Sequence, residues 1–180
     1  MNKVDDRVDG LELAEGLHRD RLTQLEKENS KLNGTIFYLQ SQSMRNNLIF
    51  CNIKKRSNEK PADTEDIVRN FMIEKLDLAK DVVDEMKLER VHRLGPISQN
   101  PNYDRKIVHK FNLFADRELV RKRKFKLDKS TYYIHEQFPP EIVAKRRRLV
   151  PKLRDAKTEG KSAWISYDTL YVDGKPLKDE

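Results

Sequence analysis

Leu48-Ile49-Phe50-Cys51-Asn52-Ile53 is a short run of apolar and aromatic residues, preceded by Met44-Arg45-Asn46-Asn47 and followed by the polar stretch Lys54 to Ala62. A run of this length between turn-forming residues reads as a buried strand. After it, Asp63 or Thr64 can cap a helix whose apolar face is Ile67, Val68, Phe71, Met72 and Leu76. Val82 to Leu94 contains a second strand ending in Arg90-Val91-His92-Arg93-Leu94. Gly95-Pro96 then opens a polar loop through Asn102, and Lys106-Ile107-Val108-His109-Lys110-Phe111 returns as the third strand of a hairpin. Helical spacing resumes at Leu113, Phe114, Leu119 and Val120, with Asn112 as its cap, and Thr131-Tyr132-Tyr133-Ile134-His135 supplies a fourth strand. The predicted order is β-α-β-β-α-β.

That order is the split βαβ, or ferredoxin-like, arrangement of RNA-recognition-motif domains. The first strand partly resembles the ribonucleoprotein-2 motif through Leu48, Phe50 and Asn52, but Ile49 stands where a stacking aromatic is usual. In the third strand Lys106 and Val108 replace the two central aromatics, although Phe111 remains. Aromatic platforms supply roughly 1 to 3 kcal/mol per base, so stacking on this sheet should be weak and phosphate contacts must compensate. Phe50, Phe71 and Phe111 are expected in the core.

Upstream, apolar residues keep one frame of alternating 4 and 3 steps, with Val8, Leu22 and Ile36 at a and Val4, Leu11, Leu25, Leu32 and Leu39 at d. Glu15, Asn29 and His18 occupy the same seam, and such polar layers fix register at a cost in stability. Arg7-Val8-Asp9-Gly10-Leu11-Glu12 and Arg21-Leu22-Thr23-Gln24-Leu25-Glu26 each place Arg at g and Glu at e. Both resemble the Arg-h-x-x-h-Glu trimerisation motif of short coiled coils. A trimer is expected, with a dimer as its rival and a lone amphipathic helix as the third alternative.

Downstream, Phe138-Pro139-Pro140 ends the fourth strand, and Pro140 starts a helix containing Ile142, Val143, Leu149 and Leu153. That helix carries Lys145-Arg146-Arg147-Arg148, and residues 139–162 hold eight Lys or Arg against three Asp or Glu. A solvated face or a localisation signal would explain one basic run; the second, Arg121-Lys122-Arg123-Lys124, favours a phosphate-binding groove. After Gly160, Ser162 to Tyr167 and Leu170 to Val172 read as short strands, with Asp173-Gly174 at the next turn. Trp164, Tyr167 and Tyr171 could stack on bases; equally, Trp164 could anchor this small unit to the basic helix. The chain thus reads as α+β: a coiled coil over 1–43, a ferredoxin-like RNA-recognition-motif domain over 44–138 and a small basic helix-plus-strand domain over 139–180.

Composition narrows the function. The 180 residues carry a formal charge of +7, yet residues 1–43 hold six Lys or Arg against eight Asp or Glu, leaving 31 against 22 in the remainder. That asymmetry suggests a polyanion partner for the larger part, since clustered cations release counterions on meeting phosphates. One cysteine and four histidines support neither a disulfide framework nor a zinc knuckle, and a reducing compartment fits best. No run of some 18 apolar residues suggests a membrane span. His92, His109 and His135 lack a neighbouring acid or nucleophile pattern, and no glycine-rich phosphate loop occurs, so neither catalysis, cofactor nor small-molecule substrate is expected.

The order of parts, with Arg45-Asn46-Asn47-Leu48-Ile49-Phe50, Val91-His92-Arg93-Leu94-Gly95, Arg105 to Phe111, Ala144 to Gly160 and Ala163 to Gly174, resembles the first-open-reading-frame protein of LINE-type retrotransposons, or a host-adopted descendant. The resemblance implies a homotrimeric RNA-binding nucleic-acid chaperone, without catalysis of its own, that coats its transcript in cytoplasmic ribonucleoprotein particles, with the nucleus as a second compartment. Arg93, Arg105, Arg121, Lys122, Lys145, Arg146, Arg147 and Arg148 are the expected contacts to RNA or single-stranded DNA. Arg7, Val8, Leu11, Glu12, Arg21, Leu22, Leu25, Glu26, Asn29, Leu32, Ile36 and Leu39 are the expected self-association residues. The alternative is an adaptor whose coil mediates assembly and whose ferredoxin-like unit binds another protein.

Overall fold

The computed structural model describes residues 5–56, 58–96, 100 and 103–177. The chain is α+β, and it divides between Gln40 and Ser41 into a helical unit and a compact second unit.

Helix α1 (Asp5–Met44) runs unbroken for 40 residues. Its length agrees with the sustained heptad frame, since ordinary globular helices average three to four turns. Leu11, Leu22, Leu25, Leu32, Ile36 and Leu39 are all exposed along it, from 44% at Leu25 to 69% at Leu11. Val4 lies outside the described residues, as does the side chain of Val8. Arg19 pairs with Glu15 at 2.8 Å, and the Asn33 amide donates to Asn29 at 2.6 Å.

The second unit begins with β1 (Asn47–Cys51), followed by α2 (Pro61–Leu76), α3 (Lys80–Glu85), β2 (Leu88–Arg93), β3 (Ile107–Phe111), α4 (Phe114–Lys122), β4 (Tyr133–Glu136) and α5 (Pro140–Thr158). Three short strands, β5 (Ala163–Ser166), β6 (Thr169–Val172) and β7 (Lys175–Leu177), end the described chain. The larger sheet has the order β2-β3-β1-β4, with every pairing antiparallel. Phe50 is the hub of its register, opposite Ile107 on one side and Ile134 on the other.

Strand alternation sorts the sheet into two faces. Leu48, Phe50, Ile107, Phe111 and Ile134 turn toward α2, where Val68, Met72 and Leu76 are fully buried, and Val120 of α4 joins the same core. Phe50 and Phe71 meet edge to face at 5.8 Å, and Phe111 is fully buried, so all three phenylalanines are core residues. Ile49, Cys51 and Val108, with Leu94, form a smaller aliphatic cluster on the opposite face.

Several boundaries differ from the sequence expectation. Helix α2 starts at Pro61 rather than after Asp63: proline is preorganised for the first helical position, and Asp63 lies inside the first turn, accepting a 2.7 Å hydrogen bond from the Lys60 backbone N–H. The segment from Val82 is helical before it is a strand, because α3 turns Val83 into the core while Leu78 and Met86 close the same end. Leu113, not Asn112, precedes α4, and the basic run Arg121 to Lys124 straddles the end of α4 and a 3₁₀ turn, Arg123–Leu127. Strand β7 adds a third member to the small sheet through Asp173-Gly174, both at positive φ (49° and 78°), as a type I′ hairpin requires.

Candidate nucleic-acid interface

The fourth strand delivers Glu136-Gln137-Phe138 to the mouth of a cleft of about 530 Å³. Phe114 and Arg121 of α4, Arg45 at the end of α1, and Ile165 to Tyr167 of the β5–β6 turn line its other sides. A second cleft of about 310 Å³ shares Arg121, Glu136 and Phe138 with the first. It lies between the Ile49–His135 face of the sheet and the α5 residues Val143 and Arg146, with Lys124 at its rim. The two clefts therefore form one groove that passes under the first turns of α5.

Cations and aromatic rings alternate along this groove. The Arg45 guanidinium lies over Phe114 at 4.6 Å, Arg146 lies over Phe138 at 4.6 Å, and Phe138 meets Tyr167 edge to face at 5.9 Å. Such cation–π pairs contribute roughly 0.5 to 1 kcal/mol at exposed sites and hold the planar groups in place. Arg146 also donates to the Tyr167 carbonyl, and Lys145 pairs with Asp168 at 3.1 Å, so the basic helix is tied to the β5–β6 turn. The Tyr167 hydroxyl shares a hydrogen bond with the Ser41 hydroxyl.

The lining of the groove is net positive, with Arg45, Arg117, Arg121, Lys124 and Arg146 against Glu118 and Glu136. Glu118 pairs with Arg121 at 2.7 Å and also with Arg117, which in turn pairs with Glu136. The hydrogen bond from Arg121, with help from Arg117, holds the Glu118 carboxyl down to about 2. These two arginines are thus matched by two carboxylates. The uncompensated positive charge within the groove is that of Arg45, Lys124 and Arg146, which no ion pair engages among the described residues, while Lys122, Arg147 and Arg148 are exposed on the same helices outside the lining.

The expected contact residues fall into three groups. Arg121 and Arg146 come together at the groove, Lys145 pairs with Asp168 at the β5–β6 turn, and Lys122, Arg147 and Arg148 are exposed without lining either cleft. Arg105 is elsewhere, donating to the Gly95 carbonyl at 2.9 Å across the base of the β2–β3 hairpin.

Arg93 is buried. Its side chain is 3% exposed beside Glu59 at 2%, and it bonds Glu59 twice, at 2.6 and 2.9 Å, besides the carbonyls of Ile53, Lys54 and Arg105. Burial alone would push the Glu59 carboxyl up, but Arg93, the Arg56 backbone and Thr64 together hold it below its ordinary value. With its donors occupied by protein, Arg93 fastens the loop after β1 to the hairpin and has no donors to spare for a phosphate.

Sequence reasoning passed over Arg45, Phe114 and Phe138. Only Phe138 carried a usable signal, an aromatic directly before Pro-Pro and the basic helix. Among the described residues no cluster of three metal-ligating side chains occurs, and no helix is long and apolar enough to cross a membrane. No protein-family model matches the chain, and no curated protein sequence matches it.

Proposed function

We propose that this chain is a sequence-tolerant single-stranded nucleic-acid-binding protein, with RNA as its first ligand and single-stranded DNA as a second, that self-associates through α1. The reading rests on the groove, whose lining combines the unpaired cations Arg45, Lys124 and Arg146 with the rings of Phe114, Phe138 and Tyr167, and on the further exposed cations Lys122, Arg147 and Arg148 of the helices beside it. Cations that follow a phosphate backbone, interleaved with rings that accept bases, are what binding without sequence readout needs.

The strand order β2-β3-β1-β4 with two helices on one face is the one the split βαβ motif produces, and it supports assigning residues 44–138 to an RNA-recognition-motif-like domain. The other sheet face carries Ile49, Cys51 and Val108 in place of stacking aromatics, so the ligand is assigned to the groove beside α5. The basic segment 139–180 acts as the second wall. The exposed seam of α1 favours a homotrimer, because Arg7, Glu12, Arg21 and Glu26 recur at g and e. The sequence resemblance to LINE-type first-open-reading-frame proteins extends the proposal to a nucleic-acid chaperone that coats its transcript in a ribonucleoprotein particle, without catalysis of its own.

The test is binding of a fluorescent single-stranded RNA at several salt concentrations. Arg147→Ala with Arg148→Ala should weaken binding and reduce the slope of log K against log salt by about 1.4, some 0.7 per lost phosphate contact. Adding Arg146→Ala should weaken it further, because that change also loosens Phe138. No binding at low salt would sink the proposal and promote the adaptor alternative.

A further inference from the structure

The small sheet places three cyclic side chains in one row. Trp164 on β5 is the register partner of Tyr171 on β6, and Tyr171 is the register partner of Pro176 on β7. The Trp164 and Tyr171 rings are stacked, with centroids 5.5 Å apart and planes within 6° of parallel. Alternation puts this row on the face away from α5. Ala163 and Leu170 are buried and β5 and β6 pack on α5, whereas Trp164 is 44% exposed. Trp164 therefore does not anchor the unit to the basic helix. Ala163 and Leu170, on the opposite face, are the buried residues of the strands that pack on that helix.

We infer that the Trp164–Tyr171 row is a stacking platform for one unpaired base of a single-stranded nucleic acid, separate from the groove. The inference rests on the proposed nucleic-acid function and adds a second point of contact to it. The row closes at one end on Pro176 and ends at the other on Trp164, whose strand β5 is an unpaired edge of the sheet. A flat ring added at Trp164 extends an existing stack without moving either side chain. Charge points the same way at the end of the sheet rather than on its face: Arg146 and Lys145 reach the β5–β6 turn at Tyr167 and Asp168, two register pairs from the row, so a strand that follows these cations round the turn brings a base to Trp164.

Trp164 is the only tryptophan in the chain, so its emission reports on this ring alone. The full chain is titrated with oligouridine and with an abasic oligonucleotide of equal length, reading both Trp164 emission and anisotropy of the labelled strand. Saturable quenching by oligouridine, at the midpoint given by anisotropy, and none by the abasic strand is the expected result. Trp164→Leu should weaken oligouridine binding roughly tenfold while leaving abasic binding unchanged, and Trp164→Phe should retain most of the affinity. Binding without quenching, or an equal loss for both strands, overturns the platform while leaving the groove intact. Absence of binding by either strand at low salt overturns the nucleic-acid reading and the platform together. Should Trp164→Leu fail to fold, the comparison of the two strands on the unmodified chain still decides.

Discussion

His109 is the residue whose surroundings and chemistry disagree most. It lies fully buried on β3 between Ile107 and Phe111, 6.1 Å from the Phe50 ring and 3.9 Å from that of Phe111, and neither ring nitrogen has a hydrogen-bond partner. Burial, reinforced by the nearby Arg69 charge, pushes its basicity down to about 3. The unfolded chain takes up this proton near pH 6.5 and the folded chain only near pH 3, so the contribution is intact above 6.5 and is lost as pH falls between those values. At about 1.36 kcal/mol per unit, pH 5 should cost roughly 2 kcal/mol relative to pH 7. His92, lowered by partial burial and then by Arg90, adds a smaller effect of the same sign. His109→Leu should flatten most of this acid limb in denaturant melts at pH 7, 6 and 5, and should be neutral or stabilising at pH 7 because it removes an unsatisfied buried N–H. An unchanged limb would mean that another group takes up the proton.

Whole elements were legible in the sequence where periodicity or turn chemistry was strong, and obscure where tertiary contacts decided. The heptads gave α1, and Asp173-Gly174 marked the last hairpin turn, whereas α3 is a six-residue helix held by Val83 reaching the core, which local propensity does not announce. The site behaves likewise. The run Lys145 to Arg148 was visible because charge clusters are local, but Arg45 and Phe114 meet only after folding, and Arg93 looked like a surface cation until Glu59 closed over it. For α1 the consequence is direct. Leu22 and Leu25 are exposed on the helix, and burial in an inter-chain seam would contribute about 1.5 to 3 kcal/mol each. Leu22→Asp with Leu25→Asp should convert the assembly to monomers by light scattering while the thermal transition of residues 41–180 stays in place. An unchanged mass would remove the coil.

At the scale of the molecule, a groove with three unpaired cations is suited to weak, exchangeable contacts, and on the proposed function tight binding would come from several grooves acting on one strand. Linked sites gain roughly 10² to 10⁴ in apparent affinity when one ligand spans them, and nothing when it cannot. The monomeric Leu22→Asp, Leu25→Asp variant separates these cases, because it leaves every groove residue in place. Its affinity for a strand long enough to bridge subunits should fall by that factor, whereas its affinity for an oligonucleotide that fills a single groove should equal that of the parent chain. Anisotropy titrations with the two lengths at one salt concentration make the comparison. Equal losses at both lengths would mean that α1 touches the strand itself; no loss at either would mean that each groove binds alone and that self-association adds nothing to affinity.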